Sequence, residues 1–370
     1  MDINPDKLKG CLLGLAIGDA MGRAVDAKTL DEIFLDYGPA GLLGYDLTNG
    51  VAEISSHSQI AAFVCNGLLQ SLARGQNSYL PRVTNALKEW AHAQHLPGDP
   101  AKRSCWLSYL PQMKTRNCMD ARTLDALTRD ILGTLENPAN QSAGPGTLPG
   151  AVPVGLIFRP ERMDFSELGT LGAQIVALTH GDPLTVLSGA VVAYAIAGML
   201  HDPDAPAEKN LSNAVEAVHT QFIASMPQAD ELRQILSRAL ELGMQPQENH
   251  SDIMEQLECT RAVQVLAGAF YSISASGGDF DSAMIIAVNH SGKSAAVAAL
   301  AGALLGAAQG ESALPEFYLE SLPCADLFRQ LAADLYVCNP SQLRNRLFDH
   351  DFDRKYIQGL PVENTGWEEA

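Results

Sequence analysis

Glycine recurs at every fourth residue, Gly14, Gly18 and Gly22, inside the mostly apolar run GLAIGDAMGRAVDA. Four residues is close to one helical turn, so the three glycines share one helix face. That face carries no side chains, and a second backbone can approach it closely. A chain with such a face is expected to fold as close-packed helices. Two further runs agree, LTVLSGAVVAYAIAGML over 184–200 and SAAVAALAGALLGAA over 294–308, both rich in Ala and Gly. Helical spacing also recurs over 7–20, 58–72, 80–92, 121–133, 164–179, 211–225, 229–242, 260–274, 279–289 and 325–338, and no run alternates as a strand would. The expected fold class is all-α, a single compact multi-helix domain over residues 1–338. A charged C-terminal tail, 339–370, either packs on that domain or is loosely held.

Composition narrows the function. Hydrophobic residues make up 46% of the 370 and aromatics 6%, which suits an Ala/Leu/Gly interior of packed helices. The net charge of −18 argues against nucleic acid and against anionic membrane as partners. Both long apolar runs fall short of a comfortable bilayer span and read as central helices of a bundle. Seven cysteines, odd in number and never spaced C-x-x-C, read as buried reduced thiols. With the polar start MDINPDKLKG, they point to a cytoplasmic protein.

Four polar stretches flank very apolar helices. The first holds Asp19 and, seven residues on, Asp26. The second, ISSHSQIAAF, opens a helix with Ser55, Ser56, His57, Ser58 and Gln59, five polar residues where one would cap it. Locally that reads as a solvated helix start. The third, ENPANQSAGPGTLPGAVPVG over 136–155, reads as a long loop, and a structureless loop of that length is usually functional. Backbone amides around Asn140, Ser142, Gly144 and Gly146 suit a pyrophosphate. The fourth leads through Asn289, His290, Ser291, Gly292, Lys293 and Ser294 into a helix, whose free amides make a ready anion site.

This set, in this order, resembles the ADP-ribosylglycohydrolase family, through KLKGCLLGLAIGDAMG, GPAGLLGY, ENPANQSAGPG with AVPVGLIF, THGDPLTVLSGAVVAYAIAGML and AVNHSGKSAAVAALAGALLGA. The segments span roughly residues 7 to 310. The resemblance implies an all-α fold, two Mg²⁺ ions in a cleft, and cleavage of ADP-ribose from a modified side chain. It also implies roles for Asp26 near the scissile bond and His180 near a ribose. Asp26 is one methylene shorter than the glutamate many members carry there.

The departures from the family pattern fall on the metal site. Where the family has Thr-Asp-Asp-Thr, this chain has Ser55, Ser56, His57 and Ser58. Where it has Gly-Gly-Asp-x-Asp-Ser/Thr, this chain has Ser291, Gly292, Lys293, Ser294, Ala295 and Ala296. The metal positions thus hold Ser55, Ser56, His57, Lys293, Ala295 and Ala296. Four carboxylates are gone and one ammonium has arrived, leaving the site about five charge units more positive than the family pattern. Two Mg²⁺ ions need anionic oxygen ligands to offset their mutual repulsion, so Mg²⁺ binding is expected to be lost and no cofactor is expected.

The leading expectation is therefore a pseudo-hydrolase that binds ADP-ribose, a related nucleotide, or an ADP-ribosylation partner (an ADP-ribosyltransferase or an ADP-ribosylated protein). Its ligand residues would be drawn from Asp19, Ser58, Asn140, Ser142, Gly144, Gly146, His180, Ser291, Gly292, Lys293 and Ser294. Two alternatives stand beside it. One is a metal-independent ADP-ribosyl hydrolase using Asp26 and His57 as catalytic acid and base. The other is a pure interaction module whose cleft is filled by its own side chains.

Overall fold

A computed structural model describes residues 3–26, 28–95, 103–116, 119–129, 131–338 and 349–362. Cys118, residues 339–348 and residues 363–370 of the tail lie outside the described residues. Seventeen α-helices are described and no strand, apart from one isolated bridge, Thr48 to Val51, across the turn at Asn49 and Gly50. In chain order the helices are α1 (Pro5–Arg23), α2 (Leu30–Tyr37), α3 (Ser56–Ala73), α4 (Leu80–His95), α5 (Ala121–Leu127) and α6 (Val152–Leu156). Next come α7 (Phe165–Ala177), α8 (Pro183–His201), α9 (Ala207–Phe222), α10 (Gln228–Gly243), α11 (His250–Gln256) and α12 (Ala262–Ala275). The last five are α13 (Phe280–Val288), α14 (Ser294–Gln309), α15 (Glu316–Glu320), α16 (Ala325–Val337) and α17 (His350–Asp353).

The glycine face of α1 meets α14. The pair runs antiparallel in a four-residue register: Gly10 faces Gly306, Gly14 faces Gly302, Gly18 faces Ala298 and Gly22 faces Ser294. The contact is backbone on backbone. A methyl group placed on Gly14 would lie 2.1 Å from the Gly302 carbonyl oxygen, and one on Gly18 would lie 1.9 Å from that of Ala298. No real Cβ tolerates such a distance, so the small residues fix the interhelical spacing. Around this pair α16 covers α1, while α12 and α13 pack on α14. A second group, α6, α7, α8 and α9, is built on α8, and α3 pairs with α4.

Local signals set most boundaries. Asn4 caps α1 ahead of Pro5, and Asp182 caps α8 ahead of Pro183. Thr29 and Glu32 form a reciprocal capping box on α2. Helix α8 has the length and hydropathy to cross a membrane, yet 89% of its apolar window is buried inside the protein. Six cysteines are described; all are buried and unbridged.

Two expectations need correction. The stretch 136–155 is not structureless: it turns through a short 3₁₀ segment, Leu148–Ala151, straight into α6. The helix expected over 121–133 stops at Leu127, and Gly133 packs under the Ala177 carbonyl, 2.2 Å from where a Cβ would sit. The described part of the tail packs on the domain. Lys355 and the Tyr356 hydroxyl both donate to the buried Asp334 carboxylate, and Arg74 donates to the Tyr356 and Ile357 carbonyls.

Gly14→Val is expected to lower the unfolding free energy by about 3 kcal/mol, read from the urea midpoint at constant slope. Gly44→Ala has nothing within 4 Å of its added methyl and should shift stability by less than about 0.5 kcal/mol. Equal effects would mean that α1 and α14 are not in backbone contact.

Candidate functional site

The register of α1 against α14 delivers two carboxylates to two helix starts. Asp19, near the end of α1, is fully buried and accepts from the Ser55 and Ser58 amides at 2.8 and 3.0 Å and from both hydroxyls. It closes the N-terminus of α3 from outside, where the helix dipole favours an anion. Ser55 is the cap itself, its hydroxyl accepting from the His57 amide at 3.2 Å. All five polar residues of this helix start are buried, none more than 5% exposed, which corrects the local reading of a solvated start. Gln59 is a core junction: its amide nitrogen donates to the Gln112 and Thr115 carbonyls, and its oxygen accepts from Trp90 and Gln94.

Asp26 does for α14 what Asp19 does for α3. Lys293 holds the cap position without a capping side-chain bond, and the Ala295 amide donates to Asp26 Oδ1 at 3.0 Å. Lys293 Nζ lies 4.0 Å from Asp26 Oδ2; the lysine side chain is 49% exposed and the aspartate 9%. Asp26 is thus held between a helix amide and an ammonium, facing away from bulk water. Ala295 and Ala296 are fully buried on the first turn of α14.

The loop before α14 is braced from three sides. Asn289 binds the Leu42 amide and carbonyl, at 2.8 and 3.0 Å, and so ties down the glycine-rich connection after α2. The Ser291 hydroxyl accepts from the Leu30 amide and donates to Glu255, whose other oxygen takes the Ser291 amide. His290 is fully buried: Nδ1 accepts from the Gly292 amide at 2.9 Å, and Nε2 faces the Ala287 carbonyl at 3.0 Å. That pattern suits the neutral ring with its proton on Nε2. Burial pushes the imidazole down to about 4, against the opposing pull of the Ala287 carbonyl. Ser294 bonds back to the His290 carbonyl and is buried as well.

The glycine-rich loop forms the opposite side. Asn140 donates to the Thr179 carbonyl at 2.7 Å and accepts from the Ser142 amide at 2.8 Å, which shapes the turn. Gly144 and Gly146 lie against Asp120, whose carboxylate oxygen would be 3.2 and 2.5 Å from a Cβ on each. His180 is buried; Nε2 meets Asp120 Oδ2 at 2.9 Å and Nδ1 meets the Thr179 hydroxyl at 2.7 Å. Burial alone would raise the Asp120 carboxyl, but its bonds to His180, the Arg122 amide and Thr123 hold it below the usual range. A cavity of about 450 Å³ opens beside this loop, lined by Arg122, Asn140, Gln141 and Ser142.

One short segment joins the two sides. The Ala143 carbonyl accepts from the Ala262 amide, and the Cys259 carbonyl accepts from the Lys293 amide, both at 2.8 Å. Glu258 and Cys259 within it are left-handed, with φ of 60° and 47°. Two adjacent non-glycine residues in that region carry strain of about 1 kcal/mol or more each. Gly292 sits on the same spot, 2.7 Å from Cys259 Cβ if it carried a Cβ of its own.

Of the sequence candidates, Asp26, Ser291 and Lys293 gather at the start of α14, and Asn140, Ser142, Gly144 and Gly146 lie in the loop by Asp120 and His180. Asp19, Ser58, Ser294 and His180 lie beneath, with their polar atoms bonded inside the protein. Sequence reasoning missed Asp120, Arg122, Glu255 and Arg261. Asp120 carried a cap signal, MDARTL, but nothing local announced His180 as its partner. Arg261 is half-exposed and pairs with Asp182 at 3.2 Å.

A pair of divalent cations does not fit this donor set. Hydroxyls, a methyl pair and an ammonium stand at the positions that would hold the ions, and Asp19 and Asp26 are engaged by helix amides and Lys293. His57 is 4% exposed and its Nδ1 has no hydrogen-bond partner among the described residues, but one imidazole is no cage. Among the described residues no group of three His, Cys, Asp or Glu side chains is placed to hold a metal.

The ADP-ribosylglycohydrolase family model matches residues 2–343. An uncharacterized protein of Archaeoglobus fulgidus is 25% identical over 341 residues, which cover 90% of this chain and 96% of that one. A solved structure titled ADP-ribosylglycohydrolase-related protein complex superposes with a TM-score of 0.60 at 22% identity, over 90% of this chain and 98% of that one. It is a likeness of fold.

His290 gives the site a pH signature. Its folded pKa of about 4 lies below the ordinary 6.5, so the unfolded chain takes up a proton first as pH falls. The stability it contributes is full above about 6.5 and is lost on the way down to about 4. The stability gap between wild type and His290→Asn should therefore shrink by up to about 3 kcal/mol across that window, as followed by urea unfolding at stepped pH. A constant gap would show an imidazole that titrates alike in both states.

Proposed function

Since the chain belongs to the ADP-ribosylglycohydrolase family, we propose that it keeps the family's fold and nucleotide-facing loops without two-metal hydrolysis, and acts by binding ADP-ribose or a related nucleotide diphosphate. The observation that carries this reading is the Asp26 carboxylate held between the Ala295 amide and Lys293. Negative charge that would attract a divalent cation is already answered there by the protein itself. Three cations stay exposed, Lys293 beside Asp26, Arg261 beside Asp182 on the bridging segment, and Arg122 beside the glycine-rich loop, with Glu255 and Glu258 exposed among them. Three cations around backbone amides suit a diphosphate. The ligand would be free or carried on a modified protein, and an ADP-ribosyltransferase is the other partner of this class. Buried, unbridged thiols fit the reducing cytoplasm.

The metal-independent hydrolase reading gains less support. Asp26 is nearly closed to solvent and engaged on both oxygens, which leaves it a poor base for an incoming water.

Calorimetric titration of ADP-ribose should give the same affinity in Mg²⁺ and in EDTA, and Lys293→Ala should weaken it by about tenfold. ADP-ribosylated peptides should not be turned over in either buffer. Magnesium-dependent release of ADP-ribose, or silence in both titrations, would end this reading.

A further inference from the structure

A cavity of about 860 Å³ lies between the first turn of α4 and α7, and shares no described lining residue with the loops around Lys293 or Gly144. Its size falls within the range of small-molecule pockets. Tyr79 stands immediately before Leu80, where a helix start ordinarily carries a short capping side chain, and a phenol cannot cap. The Tyr79 carbonyl takes the Arg82 and Val83 amides at 3.1 Å each, so the backbone is in order while the positive end of the helix is met by no acidic side chain in its first turn. Tyr79 is only 6% exposed, and its hydroxyl is buried with no hydrogen-bond partner among the described residues. A buried hydroxyl left unanswered is costly, and proteins rarely keep one without a use.

Two charged residues, Arg162 and Glu167, line the same cavity as Tyr79. Arg162 gives one arm to the Cys338 carbonyl at 2.7 Å, and a guanidinium has four further N–H donors. Glu167 also faces the cavity, but its carboxylate accepts the Asp164 amide at 2.9 Å and serves as the capping box of α7. Leu80, Met163 and Leu171 supply an apolar wall.

We infer that this cavity binds a small organic oxyanion, a carboxylate or a phosphate monoester on an apolar body. The oxyanion would lie against Arg162 and the Tyr79 hydroxyl, and the body against Leu80, Met163 and Leu171. The site is separate from the proposed nucleotide cleft, so either can fail without the other.

The test uses the full chain with three probes that share one ring: benzoate, phenyl phosphate and the neutral benzyl alcohol, followed by saturation-transfer NMR and calorimetry. At least one anion should bind tenfold or more tightly than benzyl alcohol, and the better of the two identifies the oxyanion. Arg162→Gln should weaken it about tenfold, and Lys293→Ala should leave it unchanged. Tyr79→Phe should raise the melting temperature, because it removes the unanswered hydroxyl, and yet weaken the anion about fivefold. Benzyl alcohol binding as well as both anions would overturn the inference. So would wild-type affinity in both Arg162→Gln and Tyr79→Phe, or loss of binding in Lys293→Ala.

Discussion

The backbone contact between α1 and α14 sets the geometry of everything around it. With glycine or alanine at almost every crossing, the two helices approach until carbonyl oxygens of one meet Cα atoms of the other. That closeness leaves little freedom for sliding, since a shift of one residue would drive side chains into the groove. The last crossing, Gly22 on Ser294, therefore places the end of α1 against the first turn of α14. Asp26 reaches the Ala295 amide for that reason, and Asp19, seven residues earlier, reaches the start of α3. Packing decides where the charges go.

Once placed, those charges are answered locally. Each carboxylate takes the partial positive charge of a helix N-terminus, and one also faces an ammonium. His290, the titratable ring closest in sequence to Lys293, is kept neutral by burial, and its two nitrogens serve backbone groups. Protonating it would set an N–H against the Gly292 amide. The buried groups are thus answered without any bound ion, and the exposed cations Lys293, Arg261 and Arg122 lie outside them, two already facing carboxylates.

How much of this was legible depended on the range of the interaction. Gly14, Gly18 and Gly22 announced a bare helix face by spacing alone, and the apolar runs announced the central helices. The family resemblance pointed to the same all-α fold, and the structure has it. What the sequence could not carry was partnership across distance. Ser55 to Gln59 read locally as a solvated start because their partners are distant in the chain: Asp19 for Ser55 and Ser58, and the Gln112 and Thr115 carbonyls for Gln59. The resemblance implied His180 as a ribose contact, but its bond to Asp120, 60 residues away, had no local signal. The helix expected over 121–133 ran on in pattern, but the chain turns after Leu127 so that Gly133 can meet the end of α7. Gly and Pro in 136–155 suggested an open loop, whereas Leu148 to Leu156 bury their apolar side chains and coil.

The segment from Glu258 to Ala262 shows how the two sides of the site are held as one. It offers one carbonyl to Lys293 and one amide to the glycine-rich loop, and the left-handed turn at Glu258 and Cys259 is what aims both. Strain of that kind persists only where the surroundings over-determine the backbone. Here they do: Gly292 packs on Cys259 with no room for a methyl group, and Cys259 itself is fully buried. The rim that carries Lys293 and the rim that carries Asn140 are thus joined by a rigid strut, not by a flexible link. A ligand spanning both would meet a backbone already ordered by its own hydrogen bonds, so little ordering entropy would be charged against its binding. Preorganisation of this sort is useful to a protein that recognises a diphosphate, whether or not it goes on to cleave anything.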